Sequence, residues 1–374
     1  WGSIYGVIAI TNIVIGADPT SLTGSAAQIA HTQGQAYAIR ALAHFDLLKS
    51  YGQHFVTGQG GGAGLGIPYV KTYKDPAFLT PARGTVGSNV GDIVSDLTTA
   101  IAMMSQSLDG SSSYMTVAGA YAIGARALLY AGSVDSSLYA TAGTMAKWVI
   151  DNSGRSPASA SGFAATYTTD NASNSIVELA FSGTDSRGIN GCAYILRGTS
   201  YGDVRILTGD GANPDLYDIF DAADVRFGAN MIGTAQGYPT VLGKYPTMNG
   251  SDNITILRVE EMHLIYAEAM LRAGDTATAL TYLNNIPAIR GAAPYASATL
   301  DNILLERRKE FYFEGLRYDD LLRTGQGMPL IDSKKQLNDD LTGTPPAFGS
   351  YRTAYPIGTG EMNANPNMVE NYGY

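Results

Sequence analysis

The densest group of residues able to do acid–base chemistry is Glu306-Arg307-Arg308-Lys309-Glu310, followed by Glu314 and Arg317. Glu306 and Glu310 could act as an acid and base pair. Helical spacing offers a plainer use, a ladder of i,i+3 and i,i+4 ion pairs that includes Arg307–Glu310 and Glu310–Glu314–Arg317. We take the plainer use, and read Glu260, Glu261 and Glu268 in the same way. The four histidines, His31, His44, His54 and His263, are not paired at metal-ligand spacing. His44 and His263 fall inside helical patterns and read as packing residues. Asp18, Asp203, Asp210, Asp215, Asp218, Asp221 and Asp224 lie in loops and could bind a structural Ca²⁺, although their spacing is not that of an EF-hand. No cofactor is otherwise expected. Gly58-Gln59-Gly60-Gly61-Gly62-Ala63 follows a helix and leads to Pro68, the wrong context for a dinucleotide-binding turn. No HExxH, GxSxG or Walker A pattern occurs, so an enzyme is not expected.

These residues sit in a chain with strong helical patterning. A helix is expected over 1–15, with Trp1, Tyr5, Ile8, Asn12 and Ile15 on one face, ended by Asp18-Pro19. The next spans about 26–51 with a stripe of Tyr37, Ala41, Phe45, Leu48 and Tyr51, and Gly52 stops it. Residues 53–86 read as a long loop. Ser88 is a plausible N-cap for the helix whose stripe is Val90, Ile93, Leu97, Ile101 and Met104. Helices near 116–131 and 136–152 follow, the first capped by Thr116 and carrying Ala118, Ala122 and Ala125, small enough for a neighbour to approach closely. Residues 153–255 are dominated by Gly, Ser, Thr, Asn and Asp and read as an irregular insertion with a few short strands at most. The clearest helical hairpin comes next, with Val259, Met262, Tyr266, Ala269 and Ala273 on one arm and Gly274-Asp275 at the turn. Its second arm carries Leu280, Leu283 and Ile286, and Pro287 should limit it. One more helix is expected over about 300–322, then a loop-like tail.

Hydrophobic residues make up 45% of the 374, enough for a large core, while charged residues make up only 15% against a usual quarter or so. Gly at 44 and Tyr at 24, with a single Cys192, describe ordered neutral loops and exclude an internal disulfide. A net charge of −9 without a basic run argues against a nucleic-acid partner. No apolar stretch is long enough to span a membrane as a helix. The first residue, Trp1, already reads as helical, so the natural N-terminus is expected upstream.

Five segments, in order along nearly the whole chain, resemble the SusD/RagB family. They are Ala36–Leu48 with Tyr51-Gly52; Gly66-Ile67-Pro68 with Asp96-Leu97 and Ala100; Ile256–Gly274 with Leu283–Ile286 and Arg290; Ile303–Arg323; and Tyr355-Pro356-Ile357 with Asn365-Pro366-Asn367 and Asn371–Tyr374. The 153–255 insertion departs from the family pattern beyond Asp224-x-Arg226 and Lys244-Tyr245, and Pro287 replaces the residue expected there. The resemblance implies a mainly α, TPR-like scaffold of stacked helical hairpins forming a single domain over 1–374. Scaffold is expected at about 1–152 and 256–323, the insertion at 153–255, and a wrapping C-terminal tail at 324–374. It further implies a lipoprotein anchored at the outer-membrane surface, which takes an oligosaccharide or peptide ligand and passes it to a SusC-like TonB-dependent transporter. An intracellular TPR-type interaction scaffold is the alternative from another class.

A sugar presents flat C–H faces edged by hydroxyls, which aromatic faces and planar polar groups hold. Trp1 and Trp148 are the only tryptophans and both look helical, so tyrosines must supply such a platform. The loops offer Tyr69, Tyr73, Tyr194, Tyr201, Tyr238 and Tyr245, with Arg197 and Asn190 nearby, and the 185–245 stretch is the expected site.

Overall fold

The computed structural model describes residues 1–202, 204–209, 214–329 and 345–374. Its scaffold is a stack of helices: α1 (Gly2–Ile15), α2 (Ala26–Tyr51), α3 (Val86–Met103), α4 (Val117–Ala131) and α5 (Leu138–Asn152). Each packs on the next, and the core runs between them through Phe45, Leu48, Ile93, Leu97, Ile123 and Leu128. At roughly 25 cal/mol per Å² of buried apolar surface, each such side chain contributes on the order of 2 kcal/mol.

The local chemistry explains most helix ends. Ser25 and Gln28 form a capping box at the start of α2. Thr116 Oγ1 accepts from the Gly119 N–H at 3.0 Å at the start of α4. Thr85, not Ser88, caps α3: its hydroxyl oxygen accepts the Ser88 N–H at 3.0 Å, and the Ser88 hydroxyl donates back to the Thr85 carbonyl at 2.9 Å. Ser88 is thus already the third helical residue.

Residues 153–255 leave the stack after α5, and the chain returns to pack α7 (Val259–Arg272) directly on α5. The insertion contains β1 (Ser175–Leu179), α6 (Cys192–Arg197), the hairpin strands β2 (Ile232–Ala235) and β3 (Tyr238–Val241), and the start of β4 (Ile254–Arg258). β1 and β4 pair antiparallel, from Ser175 opposite Arg258 to Leu179 opposite Ile254, and close the neck of the excursion.

The α5–α7 contact depends on a missing side chain. A Cβ built on Gly143 would stand 2.6 Å from the Ala269 Cβ, inside the closest approach of two carbons. We expect Gly143→Ala to destabilise the protein by about 1–3 kcal/mol, because both helices must separate. Thermal melting should show the loss; an unchanged or raised melting temperature would mean the helices have slack.

Beyond α7, Asp275 caps α8 (Thr276–Arg290) by accepting the Thr278 N–H at 3.0 Å. α8 passes through Pro287 for another turn, contrary to the sequence expectation. A helical proline loses one N–H bond, and here buried Ile286 and Arg290 hold the last turn in place. The expected 300–322 helix is two: α9 (Leu300–Glu310) and α10 (Arg317–Arg323). Positive φ at Phe313 (60°) and Gly315 (80°) turns the chain between them. After residue 344 the tail includes α11 (Thr359–Ala364). It returns to the end of α2, where Asn371 Nδ2 donates to the Tyr51 carbonyl at 3.0 Å and to the Tyr355 carbonyl at 2.7 Å.

Candidate functional site

The charged segment in α9 does not form its expected ladder. Glu310 is fully buried and accepts from three arginines: Arg258 Nη1 at 2.5 Å, Arg290 Nη2 at 2.7 Å and Arg226 Nη1 at 2.9 Å. Glu306 accepts from Arg226 at 2.6 Å, and Glu314 from Lys244 at 2.5 Å and Arg258 at 3.0 Å. Arg307 turns to Asp320 at 2.8 Å. Burial opposes the Glu310 charge, but Arg290, Arg258 and Arg226 outweigh it and hold this carboxylate well below its ordinary range. Glu306 is pushed up by burial, with Arg226 opposing. Two carboxylates sealed from solvent, Glu310 held by arginines and Glu306 by Arg226 and the Tyr295 hydroxyl at 3.0 Å, cannot meet a substrate, so the acid and base reading fails on geometry.

This ionic hub joins the insertion, through Asp224, Arg226 and Lys244, to α7, α8 and α9. It fixes the base from which the loops project. Above it, the β2–β3 hairpin turns at Gln236 and Gly237, both at positive φ (52° and 82°), a pair suited to a two-residue turn. Ile232 and Val241 anchor the hairpin in an apolar cluster with Leu196, Ile206 and Tyr312. Tyr238 therefore stands at the hairpin tip, 52% exposed. The neighbouring chain runs beside β3, with the Ile206 N–H donating to the Pro239 carbonyl at 2.9 Å. That register lays the Arg205 guanidinium 3.8 Å from the Tyr238 ring centroid.

α6 is pinned beside this hairpin. Arg197 donates to the Val241 carbonyl at 3.2 Å and the Pro246 carbonyl at 2.7 Å, and Gln236 Nε2 donates to the Gly198 carbonyl at 2.9 Å. Tyr194 on α6 meets Tyr201 edge-on at 6.0 Å between centroids, and Tyr201 is 50% exposed. Asn190 is exposed just before α6. Arg205 also lines a cavity of about 400 Å³ between this flank and α9–α10.

The structure thus brings Tyr194, Tyr201 and Tyr238 onto neighbouring elements, while Arg197 serves to hold them. Tyr69 and Tyr245 are committed to the scaffold. Tyr69 stacks on His44 at 3.7 Å and donates to Asp96 at 2.7 Å; Tyr245 donates to the Phe313 carbonyl at 2.7 Å. Tyr73 is exposed but stands on the α1–α2 side, where Asn12 Nδ2 donates to the Thr72 carbonyl at 3.3 Å. Arg205 escaped the sequence reading. The Gln236-Gly237 turn was the local signal for the hairpin, but nothing local marked the arginine that covers its tip.

The loop aspartates have protein partners. Asp224 pairs with Arg226 at 2.7 Å, Asp215 pairs with Arg308, and Asp221 accepts the Ala293 N–H at 2.9 Å. Asp218 accepts the Asp215 N–H at 3.0 Å, and Asp18 the Thr20 N–H at 2.9 Å. Asp203 and Asp210 lie outside the described residues. Among the described residues no group of three or more His, Cys, Asp or Glu side chains converges as a metal ion would require.

Comparison with known proteins adds a family. Residues 212–374 match the model described as the SusD family, and residues 1–129 match one described as starch-binding associating with outer membrane. The starch-binding protein SusD of Bacteroides thetaiotaomicron is 32% identical over 148 residues, which are 37% of this chain and only 24% of that protein. A solved putative sugar binding protein from Bacteroides vulgatus superposes with a TM-score of 0.84 at 28% identity, over 100% of this chain and 85% of that one. A SusD superfamily protein from Bacteroides thetaiotaomicron gives 0.82 at 28% identity, over 99% of this chain and 84% of that one.

Proposed function

We propose that the chain is a binding protein of the SusD family, which captures an oligosaccharide at the outer-membrane surface and hands it to a TonB-dependent transporter. A lipid anchor upstream of Trp1 would keep it there. The observation that carries the reading is the presentation of Tyr238 and Tyr201 on two elements locked to a rigid ionic base, with Arg205 laid on the Tyr238 face. Half-exposed rings on a fixed frame lose little rotamer freedom when a ligand stacks on them. Four to six contacts of about 1 kcal/mol each give millimolar to micromolar affinity, weak enough for release to a transporter. The sugar-binding names of the relatives support this class of ligand.

Calorimetry against a glycan panel tests the proposal. Tyr201→Ala and Tyr238→Ala should each weaken binding of whichever oligosaccharide binds by about fivefold to tenfold, with the fold intact by circular dichroism. Wild-type affinity in both variants would remove the ligand from this patch. A peptide library that binds where no glycan does would replace the ligand class while keeping the scaffold.

A further inference from the structure

The cavity beside Tyr238 carries more positive than negative side chains, against the acidic balance of the chain. Arg205, Arg307, Arg308 and Arg317 line it, against Asp215 and Asp320, in a protein whose net charge is −9. The two aspartates are taken: Asp215 pairs with Arg308, and Asp320 accepts from Arg307 at 2.8 Å and from Arg323 at 2.9 Å. Positive charge is left over on three arginines. Arg307 is only 3% exposed, yet its Nη1 has no hydrogen-bond partner. A buried guanidinium N–H without an acceptor costs on the order of 1–3 kcal/mol and leaves positive charge uncompensated behind the cavity wall. Arg317 is half-buried on the first turn of α10 and forms no ion pair or hydrogen bond among the described residues. Burial, and then the adjacent Arg308 charge, push its guanidinium below the ordinary value, against the weaker pull of Asp320 and Asp215. Arg205 donates once, to the Gly202 carbonyl at 3.3 Å, covers the Tyr238 ring and reaches the same space.

We infer that this cavity is an anion subsite, which takes the carboxylate or sulfate of an acidic sugar whose neighbouring ring stacks at Tyr238. Forked guanidinium donors match the planar oxygens of a carboxylate and the tetrahedral oxygens of a sulfate. An anion there would lie against the uncompensated Arg307 charge and give Arg317 a direct acceptor. The cavity's volume suits one charged monosaccharide unit. The inference rests on the capture reading above and narrows its ligand to acidic saccharides.

Calorimetry with four probes tests it: tri-galacturonate for the carboxylate, a κ-carrageenan tetrasaccharide for the sulfate, laminaritetraose as a neutral sugar and tetraglutamate as an acidic peptide. We expect one or both acidic saccharides to bind more tightly than laminaritetraose, with affinity falling as salt rises. Arg317→Gln should weaken acidic-saccharide binding at least about tenfold and leave laminaritetraose binding unchanged, and Arg317→Lys should restore part of the loss. If Arg317→Gln does not fold, the salt dependence of the wild-type protein carries the same information. Binding of laminaritetraose but neither acidic saccharide, or acidic-saccharide affinity indifferent to salt and to Arg317→Gln, overturns the anion subsite and leaves the capture proposal standing. A preference for tetraglutamate overturns the saccharide, and no saccharide binding within a wider panel overturns both.

Discussion

Replacing Glu310 by alanine should cost about 3–5 kcal/mol of stability, the range for breaking a buried charge cluster from one side. The substitution leaves Arg226, Arg258 and Arg290 facing a cavity where they now meet one carboxylate at 2.9, 2.5 and 2.7 Å. All three guanidiniums are 2% exposed or less, so bulk solvent does not screen the charge left behind, and a water entering the cavity would not supply the lost negative charge. Glu306, Glu260 and Glu314 still share the positive charge, which sets the upper limit. Glu310→Gln keeps one acceptor oxygen and should lose less than alanine does. The hub ties the insertion to α7, α8 and α9, so the insertion should lose protection from amide exchange before α1–α5. Urea denaturation reads the total, and a Glu310→Ala loss below about 1 kcal/mol would show that the hub is not holding the fold.

Acid should destabilise the protein from about pH 6.5 downward, before ordinary carboxylates titrate. His44 is buried between two backbone groups: one ring nitrogen, Nδ1, faces the Arg40 carbonyl at 2.9 Å, while Nε2 accepts the Val70 N–H at 3.0 Å. Those partners fix the neutral tautomer, since a proton on Nε2 would face an N–H. Burial pushes His44 down to about 3, and pushes His54 down to about 3 as well. The unfolded chain protonates both near 6.5, so between that pH and 3 the unfolded state binds more protons and stability falls as pH falls. The slope is about 1.4 kcal/mol per pH unit for each histidine. Below the ordinary carboxylate range Glu310, Glu314, Glu268 and Asp320 add to it. Their folded values are lowered by arginine and lysine neighbours, so their contribution is present above the unfolded values and lost as pH drops through the folded ones. Denaturation at pH 7, 6 and 5 should show the slope, and His44→Gln should remove one histidine's share. An unaltered slope in that variant would place the titrating group elsewhere.

The amino-acid sequence by itself determined the helices of the scaffold and most of their ends. Stripes at steps of three and four, the Ser25, Thr116 and Asp275 caps and the Gly274 turn act within a few residues of one another. It also placed the ligand-facing candidates in two polar, tyrosine-bearing stretches, 53–86 and 153–255. Tertiary structure alone decided which of those tyrosines are open. Tyr69 and Tyr201 both lie outside the helices, but Tyr69 meets His44 and Asp96 across the fold while Tyr201 meets Tyr194 edge-on and stays half-exposed. It also decided the fate of the α9 charges. Glu310 could pair locally, yet its partners lie 84, 52 and 20 residues away. Within one helix a surface pair gains a few tenths of a kcal/mol, whereas a buried carboxylate without strong partners costs several, so the long-range arginines win. The same holds for Arg205 and Arg317. Their roles depend on what surrounds them in space, and no spacing along the chain records that.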